Sequence, residues 1–368
     1  MSIDSKKQIN IMTSCDEYYF EYLFNQVINA SKTQENYVNF FFLYSRVAKK
    51  KIVKLIEFCK NLENLSFFPI EVTENISDYN ALAQHGGVTA NSNQLFPFEI
   101  YFQLNAYEYL PEWVDRILVI HAGDIMFVND VSDYYFSDFN DKLVTLELTN
   151  YLISDDRTSV NTDLYKVEDR EYFINKHQGK GAYFNSGVVL LNVSKQRENN
   201  RGLTYYLDIL ETMKKIIHTK SGVSLFIGDQ SFYSVAYLGE VNVFNGISET
   251  KRNHRRNNYS HYSYKKDLSY GYRGTKPISI FHFDGLYKPW LFSKSILNKV
   301  KKNRLDVSYE KGYHKFAPAV LNEYFMDFWE YDSFSPYHEE HLYNAKINEK
   351  IWSDFYLPLM NSYVKEKE

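Results

Sequence analysis

Short apolar runs alternate with amphipathic segments along the first ~240 residues, and this alternation constrains the fold more than any other feature of the chain. The apolar runs predict strands over residues 8–13, 38–44, 65–72, 116–121, 143–148, 188–193 and 278–283. Residues 48–62 and 203–217 place apolar side chains at helical spacing and predict helices. Alternation of this kind is typical of an α/β domain in which helices cover a layered sheet.

Length and composition narrow the class of protein. At ~150 residues per domain, the 368 residues predict one large domain with an appendage, or two domains. A net charge of −4 excludes a protein that coats nucleic acid through bulk charge, and we expect no nucleic-acid partner. The two cysteines, Cys15 and Cys59, do not form a CxxC pair, which excludes a zinc ribbon and a thioredoxin-like site.

Nothing in the sequence predicts export or a membrane span. The N-terminal region lacks the basic segment and apolar run of a signal peptide, and no uncharged stretch of ~18 residues occurs. We therefore expect a cytoplasmic protein. The C-terminal region mixes Trp and Phe with Glu and Lys, which fits docking on the rest of the protein as well as peripheral contact with the inner face of a membrane.

Polar residues with the chemistry of metal and phosphate sites follow several predicted strands. Asp16 follows the first strand, His121 and Asp124 flank an Ala-Gly turn after the fourth, and His282 ends the last strand with Lys288 close behind. Ligands of open α/β sheets bind beyond the carboxyl ends of the strands. A single Asp there is also typical of a helix cap or a turn. Together, the carboxylate, the imidazole and the cation predict a divalent-ion site that carries a diphosphate.

Four segments carry motifs along the chain: MTSCDEY at residues 12–18, LPEWVDRILVIHAGD at 110–124, YFNSGVVLLN at 183–192 and FHFDGLYKPW at 281–290. Their content and order resemble glycosyltransferase family 8, whose members are retaining, metal-dependent nucleotide-sugar transferases. The third segment is close to the family's YFNxGxxLxN signature, and the fourth matches HxxGxxKPW without a mismatch. The resemblance runs from about Gln8 to Trp290, with a weaker echo at residues 329–336. It implies a GT-A fold, in which helices flank a mixed α/β sheet.

The resemblance implies roles for the residues near the last strand. Asp124 and His282 would hold a metal, Mn²⁺ or Mg²⁺, and Lys288 would bind the diphosphate with help from the Gly285 backbone. A departing nucleoside diphosphate needs a metal and a cation to absorb its growing charge, so this set fits the chemistry. Trp290 is expected to pack and fix the Lys288 loop rather than to touch the ligand.

Six further residues are assigned by the resemblance to the nucleotide and the donor sugar. They are Thr13, Cys15 and Tyr18 on the nucleotide, and Asn185, Asp229 and Gln230 near the sugar and the reacting face. The pocket offers no obvious enzyme nucleophile, so we expect a front-face mechanism. In it the leaving phosphate oxygen helps deprotonate the acceptor, and Gln230 orients or stabilises the developing cation.

Two positions depart from the family's pattern. The family's metal motif has two carboxylates two residues apart, whereas residues 121–124 read HAGD, so either His121 or Ala122 replaces the first carboxylate. If His121 is a ligand, two imidazoles and one carboxylate favour Mn²⁺ over Mg²⁺; the alternative is a weak or absent metal. Gln103 stands where the family normally carries an Arg near the diphosphate, which removes a bidentate phosphate contact.

We therefore predict a GT-A catalytic domain over residues 1–295 and a C-terminal, mostly helical extension over residues 296–368, with helices near residues 317–329 and 347–364. The predicted reaction moves glucose or galactose from a UDP-sugar to a hydroxyl of a glycan acceptor, such as a cell-surface polysaccharide, a lipooligosaccharide or a glycoprotein glycan. The basic stretch at residues 251–273 is either solvated surface or a site for an anionic or lipid-linked acceptor.

Three other classes of function remain open. A catalytically degenerate UDP-sugar-binding protein, or a partner subunit of another glycosyltransferase, would bind the nucleotide without turnover. A nucleotidyltransferase usually carries a Gly-rich basic loop after its first strand, and SCDE at residues 14–17 is not one. A scaffold would use part of the 33 Tyr and 27 Phe as a binding surface, although most of these rings must be core and a few could cover sugar faces.

Overall fold

The predicted alternation of strands and helices is present in the computed structural model, which describes residues 7–86, 97–152, 182–217, 229, 232–233, 236–237, 240–243, 279–283, 288–291 and 326–351. The strands are β1 (Gln8–Ser14), β2 (Tyr37–Tyr44), β3 (Leu65–Glu71), β4 (Arg116–Ile120), β5 (Ile125–Phe127), β6 (Val144–Leu152), β7 (Ala182–Asn192), β8 (Val241–Val243) and β9 (Ile280–His282). The α-helices are α1 (Leu23–Thr33), α2 (Lys49–Cys59), α3 (Ile76–Gly86), α4 (Ala106–Tyr109), α5 (Ser132–Tyr135), α6 (Val193–Glu198), α7 (Leu203–Ile217) and α8 (His338–Ile351). Residues 326–332 are also helical, and 3-10 turns span Phe20–Tyr22, Phe98–Asn105 and Pro289–Leu291.

Among the strands of the described residues, seven form one mixed sheet in the order β3-β2-β1-β4-β7-β6-β8. β3, β2, β1 and β4 run parallel, whereas β7 runs antiparallel between β4 and β6. β5 and β9 form a separate antiparallel pair. The α/β mixed sheet predicted from the sequence is confirmed. The carboxyl ends of β1, β2 and β4 meet at one edge, which is where ligands of such sheets bind.

The central strands are buried on both faces. Along β2, Phe41 and Leu43 pack on one side of the sheet with residues of α3 and α7. Phe40 and Phe42 pack on the other side with residues of α1 and α2. Burial on both faces explains why these strands are continuous apolar runs in the sequence rather than alternating ones.

Some helices differ from the predictions. The helix expected from residue 96 to 109 is a 3-10 turn over Phe98–Asn105 that continues into α4. α3 lies in a polar stretch for which no helix was expected, although Tyr79, Leu82 and Ala83 are buried at helical spacing. α8 begins before the helix expected at residue 347, because its sparse apolar residues give a weak pattern; the rest of that prediction lies outside the described residues. No helix of the described residues is long and apolar enough to cross a membrane.

Candidate active site

The pairing of β5 with β9 brings Asp124 and His282 together. Ile125, the first residue of β5, lies opposite His282 in this antiparallel pair. The N–H of Phe283 donates a hydrogen bond of 2.8 Å to the carbonyl of Asp124. Two residues far apart in the sequence are therefore made neighbours by backbone pairing.

His121 joins this pair from the end of β4. Its N–H donates to the carbonyl of Gly187 in β7 at 3.2 Å, which continues the pairing of the two strands. Ligand atoms of His121, Asp124 and His282 all lie within 4.8 Å of one another. Ala122, the other residue that could replace the first carboxylate of the family's motif, is 7% exposed and packs in the apolar core. The structure therefore places His121 in the cluster and Ala122 outside it.

Gly123 makes the turn between His121 and Asp124 possible. Its φ is +68°, in the left-handed region that favours glycine. A Cβ on Gly123 would lie 3.0 Å from the Cβ of Tyr22 and 3.5 Å from Cη2 of Trp290. The left-handed residue lets two side chains three positions apart face one site, where the family's motif uses a spacing of two.

Amide side chains of α1 hold this turn from below. Gln26 Nε2 donates to the carbonyl of His121 at 2.9 Å and to that of Ile125 at 3.3 Å. Asn29 donates to the carbonyl of Phe127 at 2.8 Å and accepts from its N–H at 2.6 Å. Both amides are buried, so these bonds form away from competing water and fix the path of the chain from β4 to β5.

Lys288 lies against the cluster. Its Nζ is 2.5 Å from Oδ2 of Asp124 and donates to the carbonyl of Phe283 at 2.9 Å. The side chains of Lys288 and Asp124 are only 11% and 15% exposed, so the pair is well shielded from water. Trp290 is buried and stacks on Tyr22, with ring centres 3.9 Å apart. The prediction that Trp290 packs is confirmed.

Asp229 approaches the cluster from the other side. Its Oδ2 lies 3.4 Å from Nε2 of His121 and accepts a hydrogen bond of 2.5 Å from Nε2 of Gln103. The hydroxyl of Ser186 lies 3.4 Å from the same His121 nitrogen. Gln103 is 2% exposed, and its Oε1 has no hydrogen-bond partner within the described part of the chain. A neutral amide thus binds the Asp229 carboxylate, at the position where the resemblance in the sequence implies a guanidinium.

Gln103, His121, Asp124 and Asp229 line a cleft of about 130 Å³ at the carboxyl ends of β1 and β4. Its lining residues within the described ranges come from β1 and the turn after it, the Phe98–Asn105 region, the end of β4 and Asp229. They are Ser14, Cys15, Asp16, Tyr19, Pro97, Ile100, Gln103, Ile120, His121, Ala122, Asp124 and Asp229. The cleft therefore has an end with three carboxylates and one imidazole, from Asp16, Asp124, Asp229 and His121, beside an apolar wall.

The three residues predicted for the nucleotide lie at different depths. Thr13 is 1% exposed and donates to the carbonyl of Ile120 at 2.7 Å, so it joins β1 to β4 beneath the cleft. Cys15 lines the cleft, and burial raises the pKa of its thiol. Tyr18 is 67% exposed, and its N–H donates to Oδ1 of Asp16, which caps the turn after β1. Cys15 is the member of this trio that borders the described cleft.

Several residues of the site were not predicted. Tyr19 lines the cleft, and burial, with the nearby Asp124 carboxylate, raises the pKa of its phenol, so Tyr19 is a neutral hydrogen-bond donor. Ser186 belongs to the third sequence motif and Tyr19 directly follows the first, so the motifs pointed to the neighbourhood of both residues. Gln26 and Asn29 lie on α1 and carried none, because their role depends on which turn packs beneath the helix.

Two of the predicted site residues, Gln230 and Gly285, lie outside the described residues, as does the basic stretch at residues 251–273. Asn185 belongs to β7 and lies opposite Glu147, directly beside an irregularity in the pairing of β6 with β7. Such irregularities are frequent next to binding sites, because they redirect the strand.

Comparison with known families agrees with the motifs and the site. The model described as "Glycosyl transferase family 8" matches residues 10–294. The chain belongs to glycosyl transferase family 8. Members of this family transfer glycosyl groups, so the chain is a glycosyltransferase by descent, with a nucleotide-sugar donor and a glycan acceptor as the family's substrates.

Solved structures of glycosyltransferases share the fold of this family 8 member. The galactosyltransferase LgtC, in complex with donor and acceptor sugar analogues, is 16% identical with a TM-score of 0.55, and the match covers 87% of this chain and 95% of LgtC. An active-site mutant of LgtC is 17% identical with a TM-score of 0.56 and the same coverage. The bifunctional glycosyltransferase WbbM is 14% identical with a TM-score of 0.59, over 92% of this chain and 52% of WbbM. At these identities the likeness shows the fold, and it confirms the predicted GT-A arrangement. No curated protein sequence matches the chain.

The donor set of the cluster fits a divalent metal ion. His121 and His282 offer imidazole nitrogens, and Asp124 offers carboxylate oxygens, all within 4.8 Å of one another. Imidazole and carboxylate together suit Mn²⁺, whereas a site made for Mg²⁺ would be dominated by oxygen ligands. Glycosyltransferases of this fold typically use a divalent metal, and the donor set of the cluster fits one.

Proposed function

We propose that this chain is a retaining hexosyltransferase that moves glucose or galactose from a UDP-sugar to a hydroxyl of a glycan acceptor. The proposal is carried by the cluster of His121, Asp124 and His282 with Lys288 against it, at the carboxyl edge of the sheet of a family 8 member. A departing nucleoside diphosphate develops negative charge, and a metal-ligand cluster beside a cation is suited to absorb it. We assign this activity to residues 1–295, with residues 296–368 as a C-terminal extension.

On the diphosphate side, His121, Asp124 and His282 would hold Mn²⁺ in preference to Mg²⁺, because two imidazoles and one carboxylate form a softer, less charged set than two carboxylates. The ion would supply neutralising charge for the diphosphate. Lys288 would bind the diphosphate through its ammonium group, with the Gly285 backbone beside it. Its short contact with Asp124 already shows that the ammonium can reach the ligand cluster.

On the nucleotide side, Cys15 borders the cleft, Thr13 supports the cleft from beneath, and Tyr18 lies exposed next to it. We propose that these three residues form the nucleotide end of the site. Their common position at the end of β1 supports the proposal, because nucleotides bind at this edge in open α/β sheets.

On the sugar side, Asp229 would accept hydrogen bonds from donor hydroxyls, while the amide of Gln103 fixes its carboxylate. Asn185 would contact the donor sugar or support the loop beneath it. In the front-face reaction, the bond from the anomeric carbon to the phosphate oxygen breaks as the acceptor oxygen attacks from the same face. The leaving phosphate oxygen takes the acceptor proton, and Gln230 orients or stabilises the developing cation.

The test is incubation with a panel of nucleotide sugars, with and without Mn²⁺, while the released nucleoside diphosphate is measured. We expect release from UDP-glucose or UDP-galactose, and loss of turnover in Asp124→Ala and His282→Ala. Asp141→Ala is the matched control, because this carboxylate is exposed just before β6 and contacts Lys195 instead of the cluster. Full activity in the Asp124 or His282 variant would overturn the metal-site assignment.

A catalytically degenerate UDP-sugar-binding protein, or a partner subunit, is the second candidate. Two observations favour it: the cluster contains one carboxylate instead of the usual two, and the neutral Gln103 replaces an Arg. Calorimetric binding of UDP without release from any donor, in any divalent metal, would select this candidate over the enzyme.

The acceptor and the location rest on the sequence. We propose a cytoplasmic enzyme whose acceptor is anionic or lipid-linked, with peripheral contact at the inner face of the membrane through basic residues 251–273. Replacing Arg252, Arg255 and Arg256 by Ser should weaken acceptor binding or vesicle binding in a salt-dependent manner. An unchanged salt dependence would mean that this stretch is ordinary surface.

A further inference from the structure

An aromatic stack joins the C-terminal segment, residues 326–351, to the candidate active site. The His341 ring lies parallel to Tyr22, with centres 4.7 Å apart at 25°, and Tyr22 stacks on Trp290 at 3.9 Å and 17°. Trp290 and Tyr22 are two of the three side chains that a Cβ on Gly123 would meet, and Tyr19 is the third. A stack of three rings therefore runs from α8 to the turn between His121 and Asp124. The segment that supplies the third ring lies beyond residue 294, where the family match ends.

His341 is held in the stack by a buried carboxylate. Asp332 is fully buried, and its two oxygens lie 2.8 Å from Nδ1 of His341 and 2.8 Å from Nδ1 of His338. A carboxylate only accepts hydrogen bonds, so the Nδ1 atoms of both rings carry the protons. The Nε2 of His341 has no hydrogen-bond partner in the described ranges, and the ring is 1% exposed. The hydrogen bond to Asp332 therefore orients the His341 ring for stacking, through Nδ1 rather than Nε2.

Helix α1 connects the segment to the same turn by a second route. Asn25 Nδ2 donates to the carbonyl of Phe328 at 2.8 Å, and the next residue, Gln26, donates to the carbonyl of His121 at 2.9 Å. Phe328 also packs against Trp290, with ring centres 5.8 Å apart. Consecutive side chains of one helix thus hold the C-terminal segment and the ligand-bearing turn in a fixed relation.

We propose that His341, oriented by Asp332, is a positioning residue for the diphosphate end of the active site. It holds Tyr22 and Trp290 in the stack, and Trp290 fixes the short stretch of backbone that carries Lys288. Without the stack, Lys288 would leave Asp124 more often, and the turn at Gly123 would lose the aromatic rings that pack against it. The expected effect on UDP binding rests on the proposed function, whereas the expected effect on the position of Lys288 does not.

The stack can be tested with two matched substitutions, His341→Leu and His341→Phe. Both remove the hydrogen bond to Asp332 to the same extent, and Phe alone keeps a ring in the stack. The reporter is the rate at which acetic anhydride modifies Lys288 in the folded chain, measured by mass spectrometry. Lys195, which is 23% exposed and ion-paired with Asp141, is the internal reference. Tyr343→Leu, at a residue that is 65% exposed on the same helix, is the control for the surface of α8.

We expect His341→Leu to raise the rate at Lys288 about tenfold and to weaken UDP binding by a similar factor, as is usual when a group that orients a ligand-binding residue is lost. His341→Phe and Tyr343→Leu should stay within about twofold of the parent on both measures. If the Leu and Phe variants raise the modification rate of Lys288 equally, or if neither variant raises it, the proposal is wrong.

Two further measurements keep this test decisive. If His341→Leu does not fold, the pair Tyr22→Leu and Tyr22→Phe makes the same comparison at the middle ring without disturbing Asp332. If the parent binds no UDP in any metal, the proposed function fails, while the modification rate of Lys288 still decides whether the stack positions it.

Discussion

The ammonium nitrogen of Lys288 lies 2.5 Å from Oδ2 of Asp124, and both side chains are shielded from water. A cation assigned to the diphosphate therefore neutralises a carboxylate assigned to the metal. Two cations on the same carboxylate repel each other and share its charge, so the contact of Lys288 with Oδ2 weakens the binding of a metal ion to Asp124. The diphosphate offers Lys288 another partner and would relieve the competition.

Lys288→Met should therefore change two affinities in opposite directions. Mn²⁺ should bind the nucleotide-free protein about tenfold more tightly, because a charge-assisted contact of this kind is worth about 1.5 kcal/mol or more. UDP should bind more weakly, because its diphosphate loses a cation. Titration of Mn²⁺ by electron paramagnetic resonance and of UDP by calorimetry measures the two effects. Lys195→Met, which removes an ion-paired lysine elsewhere, is the control; weaker Mn²⁺ binding in Lys288→Met would contradict the competition.

Gln103→Leu should lower turnover about tenfold while UDP affinity stays within about twofold. The substitution removes the 2.5 Å hydrogen bond to Asp229 on the sugar side and leaves the diphosphate side intact. Steady-state kinetics and calorimetry separate the two effects. Gln196→Leu is a matched control, because Gln196 is equally buried but donates to Tyr237. Equal losses in both variants would mean that the effect is one of folding alone.

Gly123→Ala should destabilise the fold by about 1–3 kcal/mol, because it combines a left-handed backbone with a Cβ 3.0 Å from that of Tyr22. Urea unfolding measures this loss. Gly202→Ala is the comparison: its backbone is not left-handed, and its new Cβ would meet only side-chain ends, nearest those of Glu108 and Tyr107, which can rotate away, so we expect less than about 1 kcal/mol. Equal losses of unfolding free energy at the two glycines would contradict the special conformation assigned to Gly123.

Arg46→Met should destabilise the fold by about 3 kcal/mol, because it leaves the fully buried carboxylate of Glu99 without its charge partner. Arg46 binds both oxygens of Glu99 at 2.7 Å, just beyond the end of β2. Adding Glu99→Leu should recover most of the loss. Lys60→Met breaks an exposed pair with Glu57 and should cost less than about 0.5 kcal/mol in the same urea titration.

The free energy of unfolding should fall as the pH rises into the alkaline range. Burial raises the pKa of Cys59 to about 12 and also raises the pKa values of Tyr79, Tyr206, Tyr233 and Tyr237. A raised pKa means that the folded state keeps its proton longer than the unfolded state. The stability that these protonated groups contribute is complete below about pH 9 and is lost as the pH rises toward 12. Cys59 accounts for a loss of about 2 kcal/mol at pH ~10.5.

Urea unfolding across this range, followed by tyrosinate absorbance, measures the alkaline loss. Cys59→Ala should remove the part that belongs to the thiol and leave the part that belongs to the tyrosines. A free energy of unfolding that is flat up to pH ~11 would contradict the burial of these groups.

The sequence by itself determined six of the seven strands of the sheet, all but β8, and it determined that the first two motifs end at the carboxyl edge of that sheet. β1, β2 and β4 are continuous apolar runs because both of their faces are buried, and such runs are visible in a local window. The motifs that place Asp124, His282 and Lys288 are local as well. Where the pattern was weak, α3 was not predicted and α8 begins earlier than predicted, because these helices depend on contacts with distant residues.

Only the tertiary structure decided how the site is assembled. Two readings of the HAGD turn were equal in the sequence, and the positive φ of Gly123 with the pairing of β5 and β9 placed His121 beside Asp124 and His282. The contacts of Lys288 with Asp124 and of His341 with Tyr22 join residues from separate parts of the chain. Such contacts follow from register and packing across the fold, which no local pattern of apolar and polar residues records.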